Sequence, residues 1–248
     1  MSSLSSELIA KAESFPGIKA GIAHLENILK APSYQAVPNG ECRSRLLDTE
    51  GNVTEWPPDA KSVIVLGLHH PEDAPQLDWW DGGNTMGNRQ LMKISDSLKQ
   101  WLKNEHELSA LSLPYYVEYG GLFLKDAAVQ AGLGKIGRNN LLLNPEWGPR
   151  IRLCSILVEG VLEPTGSVEG FSPCESCGEL CQSICPKNGF STGIYHRPSC
   201  IEQLNADRAD SMPDGEAGED GIPGRVIKFC RACEFVCPVG VGATGNSD

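Results

Sequence analysis

Eight cysteines crowd into the last third of this sequence, and their spacing limits what the chain can be more tightly than any other feature. Before residue 170 there are only Cys42 and Cys154. The first crowded run is Cys174-x2-Cys177-x3-Cys181-x3-Cys185-Pro186. The second is Cys230-x2-Cys233-x3-Cys237-Pro238, and Cys200 lies between them. Closely spaced cysteines on one turn can wrap one face of an iron–sulfur cubane, which takes four thiolates. In two-cluster bacterial ferredoxins the cysteine that precedes proline ligates the other cluster. That crossover assigns Cys174, Cys177, Cys181 and Cys237 to one [4Fe–4S] cluster, and Cys185, Cys200, Cys230 and Cys233 to a second. No thiol is left over. Cys-x2-Cys pairs also build tetrahedral zinc sites, but zinc does not account for the paired Cys-Pro endings. Cys42 and Cys154 are expected to carry no metal, Cys154 acting as a small hydrophobe in an apolar strand.

The cysteine shift marks a boundary near Glu163–Ser167, giving an α/β domain over 1–165 and a cysteine-rich, ferredoxin-like domain over 166–248. In the first domain, helices are expected at 2–15, 24–30, 89–104 and 122–131. Leu91, Met92, Leu98, Trp101 and Leu102 form the buried side of the long helix. Strands are expected at 18–23, 62–68, 115–119 and 150–158, the second a continuous β-branched run suited to the middle of a sheet. Residues 205–224, acidic and rich in Gly and Pro, read as an exposed loop. His69 and His70 follow the central strand, and as residues at a strand end they read as hydrogen-bonded structural groups. The Trp79–Asn84 stretch is either a lid over a flat ligand or an aromatic loop packed on the core.

Composition narrows the partners. The formal charge is −11, with 21% charged and 40% hydrophobic residues. Affinity for phosphate backbones rests on Lys and Arg, so this charge weighs against tRNA as a partner. It suits docking on a basic protein surface. No apolar run reaches bilayer length, and the first residues carry no secretory pattern. A cytoplasmic protein with no membrane contact is the expectation.

Gly132-Leu133-Gly134-Lys135-Ile136-Gly137 matches G-x-G-x-x-G, but a dinucleotide fingerprint follows a strand and opens a helix. Here a helix precedes the glycines and Leu141–Leu143 follows them, so nicotinamide binding is not expected. Two readings stand: a helix C-cap with a tight turn, or a backbone that, with Arg138, lets a large flat cofactor come close.

The Ala131–Asn139 segment, the Cys174–Pro186 run, Arg197-Pro198-Ser199-Cys200-Ile201 and the Cys230–Pro238 run occur together in an order that resembles the epoxyqueuosine reductase family. That family is related to the corrinoid-dependent reductive dehalogenases. The resemblance covers about residue 60 to the C-terminus. It implies an α+β chain: a nitroreductase-like α/β domain followed by a two-cluster bacterial ferredoxin-like module. It also implies cobalamin held by Gly132, Leu133, Gly134, Lys135, Ile136, Gly137 and Arg138, with electrons supplied by a low-potential donor such as ferredoxin or flavodoxin. The family's proton donor is an aspartate at the position of Glu118, where the carboxyl is kept on a longer arm; an exposed or ion-paired Glu is the competing reading. The sequence ends eleven residues after Cys237, where the longer tRNA-acting members continue, so it matches a short form. Two functions follow as expectations. One is a cobalamin-dependent reductase. The other is an electron carrier or corrinoid activator, serving a small-molecule or protein-bound corrinoid partner, without a substrate of its own.

Overall fold

The computed structural model describes residues 3–36, 54–175, 177–191, 193–217 and 223–241. It divides into two units, each built from discontinuous stretches. One comprises 1–68, 91–135 and 152–171, the other 69–90, 136–151 and 172–248. Cys42 lies outside the described residues.

The first unit is organised by a four-stranded sheet with spatial order Ile18–His24, Ala60–His69, Ile151–Glu159, Ala110–Ser112. The first pair is antiparallel with Ile22 opposite Ile64, and the last is antiparallel with Leu111 opposite Leu157. Side chains alternate across a strand, and the even-numbered ones make the core: Ile18, Ala20 and Ile22 meet Ile64, Leu66 and Leu68, then Ile156 and Val158. Two helices cover this face. Leu4–Glu13 brings Leu8 and Ala12, and Met86–His106 brings Leu91, Leu98 and Leu102 at helical spacing. Each fully buried leucine contributes about 1.5–3 kcal/mol. Met92 departs from the expectation: it is 58% exposed. One position on from Leu91 turns a side chain about 100° around the helix, away from the sheet.

The other face is also covered. Ala23, Val63, Val65 and Leu157 are buried there, together with Ala127 and Ala128 of the helix Leu124–Gln130. Gly21 permits this, because a Cβ on it would stand 1.9 Å from the Ala131 carbonyl oxygen. The helix ends at the first glycine of the G-x-G-x-x-G segment. The Gly132 amide donates to the Val129 carbonyl (3.2 Å), the Leu133 amide to the Ala128 carbonyl (2.9 Å), and Gly132 has φ +74°. This is a left-handed helix stop.

The strand expected at 115–119 is absent. Val117–Tyr119 is a single 3-10 turn closed by Gly120 at φ +95°, and the sheet edge is Ala110–Ser112. Pro114 and the Gly120-Gly121 pair bracket the tyrosines too closely for a strand, and Tyr115 and Tyr116 point largely into solvent. Tyr119 therefore has no opposite strand face to occupy.

The second unit is made of short pieces. Trp80–Asp81 and Asn84–Thr85 pair around Gly82 and Gly83, both at positive φ as a two-residue hairpin requires. Trp80 exchanges backbone hydrogen bonds with Ile227 and meets Phe229 edge-on, while Lys228 lies over Trp79. The aromatic stretch is thus packed on the tail of its own unit. The expected loop at 205–224 is largely ordered. The helix Arg197–Ala209 runs into it, and Met212–Ala217 pairs with Pro223–Val226 as an antiparallel hairpin. Its acidic composition marks a solvated surface and did not prevent backbone pairing. Among the described residues no helix is long and apolar enough to cross a membrane.

Candidate metal centre

All eight clustered cysteines belong to the second unit. Two short helices follow the openings of the runs: Leu180–Ser183 carries Cys181, and Ala232–Phe235 carries Cys233. Cys174, Cys177, Cys181 and Cys237 line one cavity, closed by Asn139, Leu143, Pro173, Leu180 and Pro238. Cys181 and Cys237 are buried. Burial, followed by the nearby Cys177, Cys237 and Cys174, pushes the Cys181 thiol up. Two thiols of the other set are shifted as well. Cys230 is pushed up by burial and by Asp207, Cys185 and Cys200 against the Ala232 amide. Cys233 is pushed up to about 12 by burial, then Cys230, Glu234, Cys200 and Cys181. Among the described residues no three His, Cys, Asp or Glu side chains converge as a site for a single metal ion.

The donor chemistry fits iron–sulfur clusters. Each set offers four soft thiols, and backbone N–H groups point at sulfur: Arg138 to Cys174 Sγ at 3.4 Å and Gly189 to Cys185 Sγ at 3.2 Å. Cluster ligands are thiolates, so metal loading would release protons from these groups. Cys154, in the strand Ile151–Glu159, belongs to the first unit, with its thiol pushed up to about 12 by burial.

Beside the cysteines lies a buried ionic group that the sequence did not advertise. Arg231 Nη1 is 2.5 Å from Asp78 Oδ2, and its Nη2 pairs with Glu234. His70 Nδ1 is 2.9 Å from both Asp78 Oδ2 and Arg231 Nη2. His70, Asp78 and Glu234 are all buried. The group anchors the Cys230–Cys237 loop, because Arg231 and Glu234 flank Cys233 in sequence. The only signal was a pair of charged residues inside a cysteine run. His70 is hydrogen-bonded as expected, and His69 stacks on Trp147 at 4.9 Å, its pKa lowered by burial, His70 and Arg150. Arg150 was missed as well. It is 5% exposed, and its Nη2 donates to the Val239 carbonyl at 2.8 Å. Gly148 and Gly240 create that contact: a Cβ on Gly148 would stand 1.9 Å from the Val239 oxygen.

The remaining expected site residues are spread out. In the first unit Gly132 serves the helix stop, and Leu133 and Gly134 are buried. In the second, Ile136 is exposed, and the Gly137 amide donates to the Leu141 carbonyl at 2.9 Å. Arg138 is half-exposed and pairs with Glu179. Glu118 sits in the turn Val117–Tyr119.

No protein-family model matches the chain. It is similar to curated proteins named epoxyqueuosine reductase. The one from Synechocystis is 29% identical over 197 residues, covering 75% of this chain and 65% of that protein. The one from Bacillus subtilis is 27% identical over 207 residues, covering 75% and 49%. The chain thus spans about half to two thirds of the length of these relatives. Among solved structures, an epoxyqueuosine reductase with an epoxyqueuosine-modified tRNA-Tyr stem loop superposes with TM-score 0.63 at 23% identity, over 98% of this chain and 67% of that one. The Bacillus subtilis enzyme, with an aspartate-bearing catalytic loop swung out of its active site, gives 0.63 at 22% identity, over 97% and 66%. With a mixed helix-and-sheet fold matching these structures, the chain is a relative of the epoxyqueuosine reductases.

Proposed function

We propose that this chain is an iron–sulfur reductase with a nitroreductase-like cofactor domain over 1–165 and a module holding two [4Fe–4S] clusters over 166–248. The observation that carries the reading is that Cys237, from the second cysteine run, lines the same cavity as Cys174, Cys177 and Cys181 from the first. The crossover of a two-cluster ferredoxin-like module requires that arrangement. Cys185, Cys200, Cys230 and Cys233 then hold the second cluster. Once bound, the clusters supply one-electron transfer, and cobalamin, which enters through the family likeness, supplies the reductive chemistry at the substrate. The thiol sets hold the iron, and Leu143, Leu180, Pro173 and Pro238 give the first set an apolar lining. Gly132–Arg138 is the segment assigned to the corrin, with Ile136 and Arg138 its exposed members. Glu118 is the assigned proton donor, on a turn that Gly120 closes. Electrons come from a low-potential donor such as ferredoxin or flavodoxin.

A second reading keeps the clusters but gives the chain no substrate: an electron carrier or corrinoid activator. The −11 charge favours it, since a net anion suits protein docking better than tRNA binding. Anaerobic reconstitution with iron and sulfide, followed by cobalamin, separates the two. A base-off corrin spectrum and reduction of an epoxyqueuosine-containing stem loop or nucleoside support the reductase. Loaded clusters with no corrin spectrum support the carrier, and flavin uptake would replace cobalamin in the scheme.

A further inference from the structure

Reducing a cluster adds negative charge, so a fixed cation nearby eases reduction and a fixed anion opposes it. Backbone donors do not distinguish the two cysteine sets. Arg138 and Val239 amides serve Cys174 and Cys237 in one, and Gly189 and Ala232 amides serve Cys185 and Cys230 in the other. The formal charges do distinguish them. Arg150 is buried, with Nη2 on the carbonyl of Val239, two residues beyond Cys237, and Nη1 3.4 Å from the Glu234 carbonyl. Its carboxylate neighbour, Glu72, is 3.9 Å away and 55% exposed, so water screens that pair. At the other set, Asp207 Oδ2 accepts the Cys230 amide at 2.7 Å, and Oδ1 accepts Gln203 Nε2 at 2.7 Å. Both donors are neutral and leave the carboxylate charge whole.

Of the other charges near the sulfurs, Glu234, beside Cys233, is paired with Arg231, and Arg138 is paired with Glu179. Arg197, whose charge reaches Tyr195 beside Cys200, opposes Asp207 from the exposed start of its helix. The Tyr195 hydroxyl bonded to Cys200 works against Asp207, but as a neutral donor it is the weaker influence.

We propose that Arg150 and Asp207 are opposed tuning residues: Arg150 raises the reduction potential of the cluster on Cys174, Cys177, Cys181 and Cys237, and Asp207 lowers that of the cluster on Cys185, Cys200, Cys230 and Cys233. This rests on the two-cluster reading above and adds which residue acts on which cluster. The test is an anaerobic redox titration of the full, reconstituted chain followed by electron paramagnetic resonance, with iron measured on every sample. Asp207→Asn keeps an acceptor for the Cys230 amide and removes the charge. It should make one wave about tenfold easier to reduce, a shift of about 59 mV for a one-electron couple. Arg150→Gln should make the other wave harder to reduce by a similar factor, and Arg150→Lys should restore it. Cys200→Ala should delete the wave that Asp207→Asn moves. Full iron with unmoved waves, or both variants moving one wave or moving in one direction, overturns the proposal. If Arg150→Gln loads poorly, the near-isosteric Asp207→Asn carries the test alone. A wild-type chain that takes up no iron fails the cluster reading itself.

Discussion

The two units are held together by different physics. In the first, period-two strands and period-3.6 helices place Ile22, Ile64, Leu66, Leu91, Leu98, Leu102 and Ile156 in one apolar core. In the second, the buried apolar residues are few and scattered: Leu142, Leu143, Trp147, Ile151 and Phe190, beside Cys181 and Cys237. Its interior is instead charged, with His70, Asp78, Arg150 and Glu234 all buried. A unit with so little apolar burial needs another source of cohesion, and small domains commonly draw it from metal. Under the proposed function, the cysteine-rich unit draws its cohesion from the clusters, whereas the sheet unit draws its own from apolar packing.

Stripping the metal should break this contrast most visibly. Chelation under reducing conditions should abolish amide protection through much of 172–241 and leave the strands at 18–24, 60–68 and 152–159 protected, as read by hydrogen exchange. Equal protection with and without iron would mean the second unit needs no metal. Cys200→Ala should next cost one whole cluster, seen as half the iron, while full iron would show the pairing of thiols to be wrong. Glu118→Gln should abolish turnover in the reductase reading and leave iron content and cluster reduction untouched; unchanged turnover clears Glu118 of the role.

Smaller effects sharpen the same contrast. Arg231→Met leaves Asp78 and Glu234 buried without their cation, a loss of about 3–5 kcal/mol confined to the second unit. Leu98→Ala should cost about 2–5 kcal/mol in the first unit, with cluster content unaffected. Denaturant unfolding with unit-specific probes reads both. Finally, the Cys154 thiol is held up to about 12 by burial. Its folded pKa lies above its unfolded value, so its contribution to stability is complete below the ordinary thiol range and is lost as pH rises toward about 12. At pH 8 it should resist alkylation in the folded chain and react only on unfolding.

How much of this was legible follows from the same contrast. The sheet core could be read because the apolar runs at 18–23 and 62–68 are local signals, and helix spacing in Leu91, Leu98 and Leu102 is another. The cysteine pattern could be read because ligand spacing is local too. The turn at Val117–Tyr119 was misread because the β-formers Tyr115, Val117 and Tyr119 alternate as in a strand until Pro114 and Gly120 are weighed. The hairpin from Met212 to Val226 was hidden by acidic composition, which reports solvation and says nothing about pairing. The buried His70, Asp78, Arg231 and Glu234 were invisible for a deeper reason. Charged residues are read as exposed unless a partner is known, and here His70 and Asp78 meet Arg231 from more than a hundred residues away in sequence.

The central claim is met most directly by purifying the chain without oxygen and measuring iron, acid-labile sulfide and zinc together with the spectrum of the reduced protein. The account predicts a brown protein with iron and sulfide for two [4Fe–4S] clusters per chain and the signals of two reduced clusters. A colourless chain free of iron, or one carrying stoichiometric zinc, would contradict it.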